Sequence, residues 1–518
     1  MPSEAPRQLT PTLLVICLLA VFVLTCVLFV PFTSDDAYIT MRYAQHAVQG
    51  QGLVFNPGER VEGYSNPLWL GLLVIAAKLG VDLVVAAKLL GLAAGVLTLL
   101  FALGIILRLT DGHNPLAYWG LLPLATSAAL GVYAASGLET VLYACFLTAI
   151  VYCWLSFEVA SWWALGACAL AAAFTRPEGA LVLLLVIGWR GLNRLELPPR
   201  MQRHYLISLP LIGAVLALFF VVRHSYFGAW LPNTFYAKPP GAFGSTSLLS
   251  PLTYLRDYLQ DTGAWLWVGL SVSLLLVARW RSATVAALLI VVVQVALVAH
   301  ARGDWMALHR FLLPTLPLLM AVGYTGLLRL SPPKPILAAV LGLIVVLNVV
   351  QVLQVRQSFR DGIYPYSVMA GQPQEEAGKW LARSFPATTT VATKRIGGIG
   401  YFSGMRVVDT LGLVDRTIAL IRHGSTERGE AEQQRIAAEV FSRHPDLILL
   451  AVMKRWDKVP LDQPPPDIAA NLRDVDNALY AGLAPHGYRF IYRLPQGGDG
   501  EFAVFARPGL AVPAVSPP

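Results

Sequence analysis

The chain has 518 residues, is 56% hydrophobic and only 14% charged, and carries a formal net charge of +8. Soluble proteins are typically about 25% charged, so a wholly soluble globular chain is excluded; the mean hydropathy of +0.59 agrees. The positive balance is not read as a nucleic-acid footprint, because cytoplasmic loops of membrane proteins collect Arg and Lys.

The N-terminus MPSEAPRQLTP leads into an apolar run over 13–32. That run is longer than the apolar stretch of a secretory signal, and no small-residue cleavage pattern follows, so an uncleaved first span is expected. Further apolar runs predict spans over 83–107, 116–134, 139–157, 160–175, 178–192, 206–227, 264–280, 283–300, 312–329 and 336–353. The total is about eleven, each near the length that crosses a ~30 Å hydrocarbon core. The apolar stretch 67–79 is too short for that and suits an interfacial helix. Cys17, Cys26, Cys145, Cys153 and Cys168 all lie inside apolar runs and read as small buried hydrophobes.

Orientation follows from the charged turns. Arg190, Arg194, Arg200 and Arg203 face one acid, Glu196. Arg279 with Arg281, and Arg329 with Lys334, form two more basic turns. The positive-inside rule puts all three in the cytoplasm. With 67–79 left out as a span, the N-terminus is cytoplasmic and the loop 33–82 is extracytoplasmic. The polar knots at Asp35–Asn66, Glu139, Arg176–Glu178, Asn233–Lys238 and Asp304–Arg310 then fall on that same outer face.

After residue 355 charged residues become frequent and apolar runs shorten. Amphipathic periodicity predicts helices over 374–385 and 429–444, and strands over 389–393, 406–408, 447–452, 489–492 and 502–505. The organisation expected is therefore a membrane domain over 1–355 and an extracytoplasmic α/β domain over 356–518, ending in a Pro-rich disordered tail from 509. The run Arg395-Ile396-Gly397-Gly398-Ile399-Gly400-Tyr401 lacks the Lys-Ser/Thr of a phosphate loop and reads as a turn.

Asp35 and Asp36 adjoin the end of the first span. Two adjacent acids can serve as ordinary flanking polarity. They can also supply one general base and one group that fixes a metal, a water or an acceptor hydroxyl. Mutual repulsion would raise one of the two pKa values if both are partly buried. Behind them, Tyr38, Met41, Ala44 and Val48 recur at helical spacing, as in a helix lying along the interface. Glu62, Tyr64 and Asn66 add hydrogen-bonding groups, and Trp69 adds a face suited to stacking on a sugar. Arg176, Lys238 and Arg310 are candidate phosphate cations, since guanidinium binds phosphate oxygens bidentately; simple snorkelling is the alternative for each. Glu139, Glu178, Asn233, Tyr236, Asp304 and His309 complete the polar knots.

DDAYITMRYA at 35–44, GLVFNPGERVEGYSNPLW at 52–69, SGLET at 136–140, TRPEG at 175–179, PNTFYAK at 232–238 and GDWMALHRFL at 303–312, taken in that order, resemble the GT-C superfamily of membrane glycosyltransferases. Within it they resemble the arabinofuranosyltransferase branch, which includes mycobacterial terminal β-1,2-arabinofuranosyltransferases and pilin arabinosyltransferases. The resemblance implies an α-helical polytopic fold of GT-C type with a C-terminal α/β domain. It implies a polyprenyl-phosphate-linked sugar donor and a glycan or protein acceptor, cell-wall polysaccharide or pilin, at the bacterial inner membrane. One of Asp35 and Asp36 would be the catalytic acid or base, with a divalent cation beside them an open option. Another pentose, aminoarabinose or mannose would use similar anchors. A lipid or solute transporter is the other class; it would place polar groups inside the spans, where this chain has little charge beyond Lys88 and Arg223.

Overall fold

The computed structural model describes residues 10–512, apart from 111, 113, 157, 194, 196, 239–249, 364–365, 426–428 and 498–499. The readings on Arg194, Glu196 and the end of the Pro-rich tail lie outside the described residues. Contacts divide the chain into two compact units, Met1–Pro31 with Ala87–Ala217 and Gly244–Arg356, and Phe32–Ala86 with Leu218–Phe243 and Gln357–Pro518.

The first unit is helical. Every apolar run expected to span is a helix, sometimes broken: Pro11–Val27, Leu83–Leu109, Thr140–Trp154, Val159–Thr175, Gly179–Leu192, Pro199–Phe227, Ala264–Ser273, Ala278–Ala301, Leu316–Arg329 and Lys334–Arg360. The run at 116–134 is a pair, Pro115–Ala125 and Ala128–Ala135, bent by 62°. Ser127 accounts for the break, its hydroxyl accepting from Leu130 N–H to start the second piece. Among the described residues four helices, Leu83–Leu109, Pro199–Phe227, Thr284–Ala301 and Lys334–Arg360, are long and apolar enough to cross a membrane alone, five with the bent pair. The helix Lys334–Arg360 exposes Ile336, Leu343, Val346, Leu347, Val350 and Leu353. In water such a stripe would be a liability; against lipid it is the favoured surface. Lys88, a charge in an apolar run, donates to the carbonyls of Val30 at 2.8 Å and Ala135 at 2.9 Å, which satisfies helix-end oxygens.

The second unit is built on a five-stranded mixed sheet. Its strands are β1 (Thr390–Thr393), β2 (Arg406–Asp409), β3 (Leu447–Val452), β4 (Arg489–Gly497) and β5 (Gly500–Ala506), in the order β2-β1-β3-β5-β4. β1 runs parallel to β2 and β3, while β5 pairs antiparallel with β3 and β4. β3 is buried along its whole length, and its alternate residues enter two separate apolar layers: Ile448, Leu450 and Val452 on one face, Leu447, Leu449 and Ala451 on the other. All five strands coincide with the expected segments, as do the helices Gln372–Ser384 and Glu430–Ser442. One expectation is corrected. The glycine-rich run read as a turn is a helix, Gly397–Ser403, ended by Gly404 at φ 67°.

The first loop belongs to this second unit. Its helices are Asp35–Val48 and Pro67–Lys78. Arg42, Tyr43, Phe55 and Trp69 are buried. Asn56 completes the sheet edge: its Nδ2 donates to Val407 O at 2.8 Å and its Oδ1 accepts from Val407 N–H at 3.0 Å. An open edge strand otherwise presents unpaired backbone groups.

Candidate active site

Helix Asp35–Val48 begins with both acids in its first turn, where the unpaired N–H groups favour negative charge. The two carboxylates have different surroundings. Asp35 is 7% exposed, and its Oδ1 accepts from Gly398 N–H at 2.7 Å. Burial pushes its carboxyl up to about 6; the Asp36 charge adds to this, and the Gly398 N–H and Arg395 oppose it. Asp36 is half-buried. Tyr38 donates to Glu375 Oε2 at 3.2 Å and stacks on Tyr401, with ring centroids 5.6 Å apart.

The segment behind this helix is pinned from several sides. Tyr43 Oη donates to Val61 O at 2.6 Å and accepts from Gly63 N–H at 2.8 Å. Glu62 is 4% exposed and faces Arg223, Nε to Oε2 at 2.9 Å and Nη2 to Oε1 at 3.1 Å. Burial raises the Glu62 carboxyl and the guanidinium holds it down. Arg223 was legible as a charge inside an apolar run, and Glu62 is its partner. Tyr64 lies edge-on to Tyr43 at 5.0 Å. Asn66 meets Thr40 at 3.4 Å. Trp69 is 1% exposed, so the open stacking face expected there is absent from this structure and the ring packs as core.

Asn233 is a structural bracket. Its Nδ2 donates to Gly412 O at 2.7 Å, Leu413 O at 3.1 Å and Asp415 O at 3.3 Å, and its N–H donates to Glu62 O. Tyr236 lies edge-on to His423 at 5.3 Å, and Lys238 is exposed at the end of the short helix Asn233–Ala237. Asp409, at the end of β2, accepts from Leu411 N–H at 2.8 Å and Val414 N–H at 2.9 Å, which shapes the turn that Asn233 grips. Burial pushes its carboxyl up to about 6.

The first unit holds the other candidates. Arg176 bridges Glu139 at 3.1 Å and Glu178 at 2.5 Å. Arg310 pairs bidentately with Asp304, both contacts at 3.0 Å. Both guanidinium groups lie over the Phe311 ring, at 5.3 Å for Arg176 and 4.9 Å for Arg310. His309 Nε2 meets Asp261 Oδ2 at 2.9 Å. Arg302, Leu308 and His309 all have positive φ, an uncommon run for residues with a Cβ. Such strain concentrates at functional segments.

Asp35 and Asp36 are thus brought together with Glu62, Tyr64, Asn66 and Asn233 in one unit, and Arg176 with Glu139, Glu178, Asp304 and Arg310 in the other. Sequence reading missed Arg42, Asn56 and Asp409. Arg42 follows Asp35 by two helical turns, a spacing that puts both on one face; that was the available signal. Among the described residues no group of three or more His, Cys, Asp or Glu is placed to hold a metal.

Residues 364–505 match a domain of unknown function (DUF8728). A terminal β-(1→2)-arabinofuranosyltransferase of Mycobacterium tuberculosis is 28% identical over 268 residues, 48% of this chain and 41% of that protein. The alignment therefore spans about two fifths of the length of that curated relative. Among solved structures, ArnT from Cupriavidus metallidurans bound to undecaprenyl phosphate aligns with a TM-score of 0.60 at 14% identity, covering 97% of this chain and 99% of that one. The Archaeoglobus fulgidus oligosaccharyltransferase tethered to an acceptor peptide aligns with a TM-score of 0.51 at 11% identity, over 92% and 79%. At these identities the likeness carries the fold. The chain is a multi-pass α-helical membrane protein with a C-terminal α/β domain, and it shares the overall fold of the ArnT structure.

Proposed function

We propose that the chain is a membrane glycosyltransferase that moves a sugar, arabinofuranose first among the candidates, from a polyprenyl-phosphate donor to an extracytoplasmic glycan or protein. The observation that carries this reading is the acid pair at the start of helix Asp35–Val48 in a chain of GT-C fold. The arabinofuranose assignment is supported by the mycobacterial relative, and the lipid-phosphate donor by the ligand of the ArnT structure. The site is assigned to the outer face of the bacterial inner membrane, with the N-terminus in the cytoplasm and the α/β domain outside.

In this reading Asp36 is the base. It is the more open of the two carboxylates, whereas Asp35 is buried and engaged with Gly398 N–H. The Asp36 carboxylate takes the proton of an acceptor hydroxyl as that oxygen bonds to the anomeric carbon. The bond from the anomeric carbon to the phosphate oxygen breaks, and polyprenyl phosphate leaves with the electron pair. Lys238, which belongs to the same unit as Asp36, is assigned to the donor phosphate, whose growing charge a cation stabilises without protonation. A second reading makes Asp35 the base, favoured by its pKa of about 6, close to where a general base works at neutral pH.

Transfer from a radiolabelled lipid-phosphate donor separates these readings. Asp36→Asn is expected to lower the rate by at least about 100-fold, with a smaller loss in Asp35→Asn. The reverse ranking would favour Asp35. Full transfer by both variants would remove the acid pair from the chemistry.

A further inference from the structure

Arg42 is a charged side chain only 1% exposed. Burying a charge is costly unless it is fully hydrogen-bonded. Among the described residues Arg42 pairs with no carboxylate. Its Nε donates to Phe55 O at 2.7 Å, its Nη2 to Met405 O at 2.6 Å and its Nη1 to Gly400 O. The guanidinium carbon lies 4.4 Å from the centre of the Phe55 ring. A fork spent wholly on carbonyls neutralises no charge; it fixes backbone to backbone.

The backbone it fixes is helix Gly397–Ser403, together with the turn that ends it at Met405. The same short helix is held at its start by Asp35, through Gly398 N–H. Asp35 and Arg42 stand seven residues apart on one helix, a rise of about 10 Å, which matches the length of the seven-residue helix between them. An acceptor thus meets the free N–H end and a donor meets the carbonyl end. The fit depends on missing side chains. A Cβ on Gly397 would stand 2.0 Å from Asp35 O, and one on Gly400 would stand 2.8 Å from both Arg42 Nη1 and the Phe55 ring.

We propose that Arg42 is a positioning residue for sugar transfer: with Asp35 it clamps helix Gly397–Ser403 at both ends and so fixes the backbone that presents Asp36. This rests on the assignment of Asp36 above. Asp36 is the next residue to one jaw of the clamp and points about 100° around the helix from it. Release of Arg42 frees the helix start to shift, and misplacement by about 1 Å can cost on the order of 100-fold in rate. Arg42 is buried and its fork is spent on backbone carbonyls, so its loss is expected to spare donor binding.

The test is steady-state transfer by the full-length protein in detergent, using synthetic polyprenyl-phosphoryl-arabinofuranose and an arabinan oligosaccharide. Arg42→Ala is expected to lower kcat by about 100-fold while the donor KM stays within about three-fold. Free guanidinium at a non-denaturing concentration is expected to restore part of kcat in Arg42→Ala and to leave wild type unchanged. Arg42→Lys keeps the charge but loses the fork, and is expected to fall between the two. It is the second variant should Arg42→Ala fail to fold. A wild-type kcat in either variant, a change confined to KM, or a folded Arg42→Ala that guanidinium does not rescue would each overturn the proposal. Wild type and Asp36→Asn run beside them. No transfer by wild type defeats the glycosyl-transfer reading itself, equal non-zero rates for that pair defeat the assignment of Asp36, and an inactive Asp36→Asn beside a fully active Arg42→Ala defeats only the clamp.

Discussion

Asp35 has a measurable signature in stability as well as in rate. Burial penalises the charged form and pushes its carboxyl up to about 6 in the folded protein, against an ordinary value of 3.8. The folded state therefore binds the extra proton between those two values. The stabilisation is complete below about pH 4 and is lost as pH rises through 6. A shift of that size corresponds to on the order of 3 kcal/mol for a single group. Asparagine mimics the neutral acid, and its oxygen can still accept from Gly398 N–H. Asp35→Asn is therefore expected to melt at or above the wild-type temperature at pH 7.5, with the gap closing at pH 4.5. Melting in detergent at the two pH values checks this; a variant less stable than wild type at pH 7.5 would show that the ionised carboxylate is needed for the fold. The acid pair itself was legible in sequence, as charge at the edge of an apolar run. Its partner was not, since Gly398 lies 363 residues away and no local pattern connects the two.

Helices and strands with a clear period were the legible elements. The fully apolar run LILLAV became β3, and the amphipathic stretches near 374 and 430 became helices, because burial on a sheet or a helix face leaves a repeat of two or 3.6. Helix Gly397–Ser403 escaped because three of its first four residues are glycine, the poorest helix former after proline. Tertiary contact overrides propensity here, and this gives a test. Gly→Ala inside an exposed helix normally stabilises by about 1 kcal/mol. Gly397→Ala is expected to do the opposite, because the new Cβ would meet Asp35 backbone oxygen at 2.0 Å, which no rotamer change relieves. Gly71→Ala in helix Pro67–Lys78 is the control, since nothing lies within 4 Å of its added Cβ. Melting should fall for Gly397→Ala and hold or rise for Gly71→Ala. Equal melting of the two would mean that the helix is not packed as closely as described.

The expected division of the chain near residue 355 treats the α/β portion as an appendage, and the contacts within the second unit argue for a different dependence. Arg42 bonds Gly400 and Met405, Asn56 bonds Val407 in both directions, and Asn233 bonds Gly412, Leu413 and Asp415. Ser34 adds a bridge to Ala370. Each pairs a segment flanking an early span with a backbone group beyond residue 356. Hydrophobic period cannot report such pairs, which join residues hundreds of positions apart, so the apolar helices were legible and these long-range pairs were not. A chain ending at residue 356 would leave the Arg42 guanidinium, the Asn56 amide and the Asn233 amide without those acceptors, at about 1–3 kcal/mol for each buried group left unpaired. The apolar side of helix Asp35–Val48, with Tyr38 and Tyr43, would lose much of its cover. The truncated protein is therefore expected to insert in the membrane but to be cut by trypsin at Arg60 and Lys78, where the full chain resists. Transfer activity should be absent from it. Limited proteolysis in proteoliposomes, with peptides identified by mass spectrometry, reads this directly. Equal resistance of residues 33–82 in both forms would mean that the first loop folds without the α/β portion, and would return that portion to the status of an appended module.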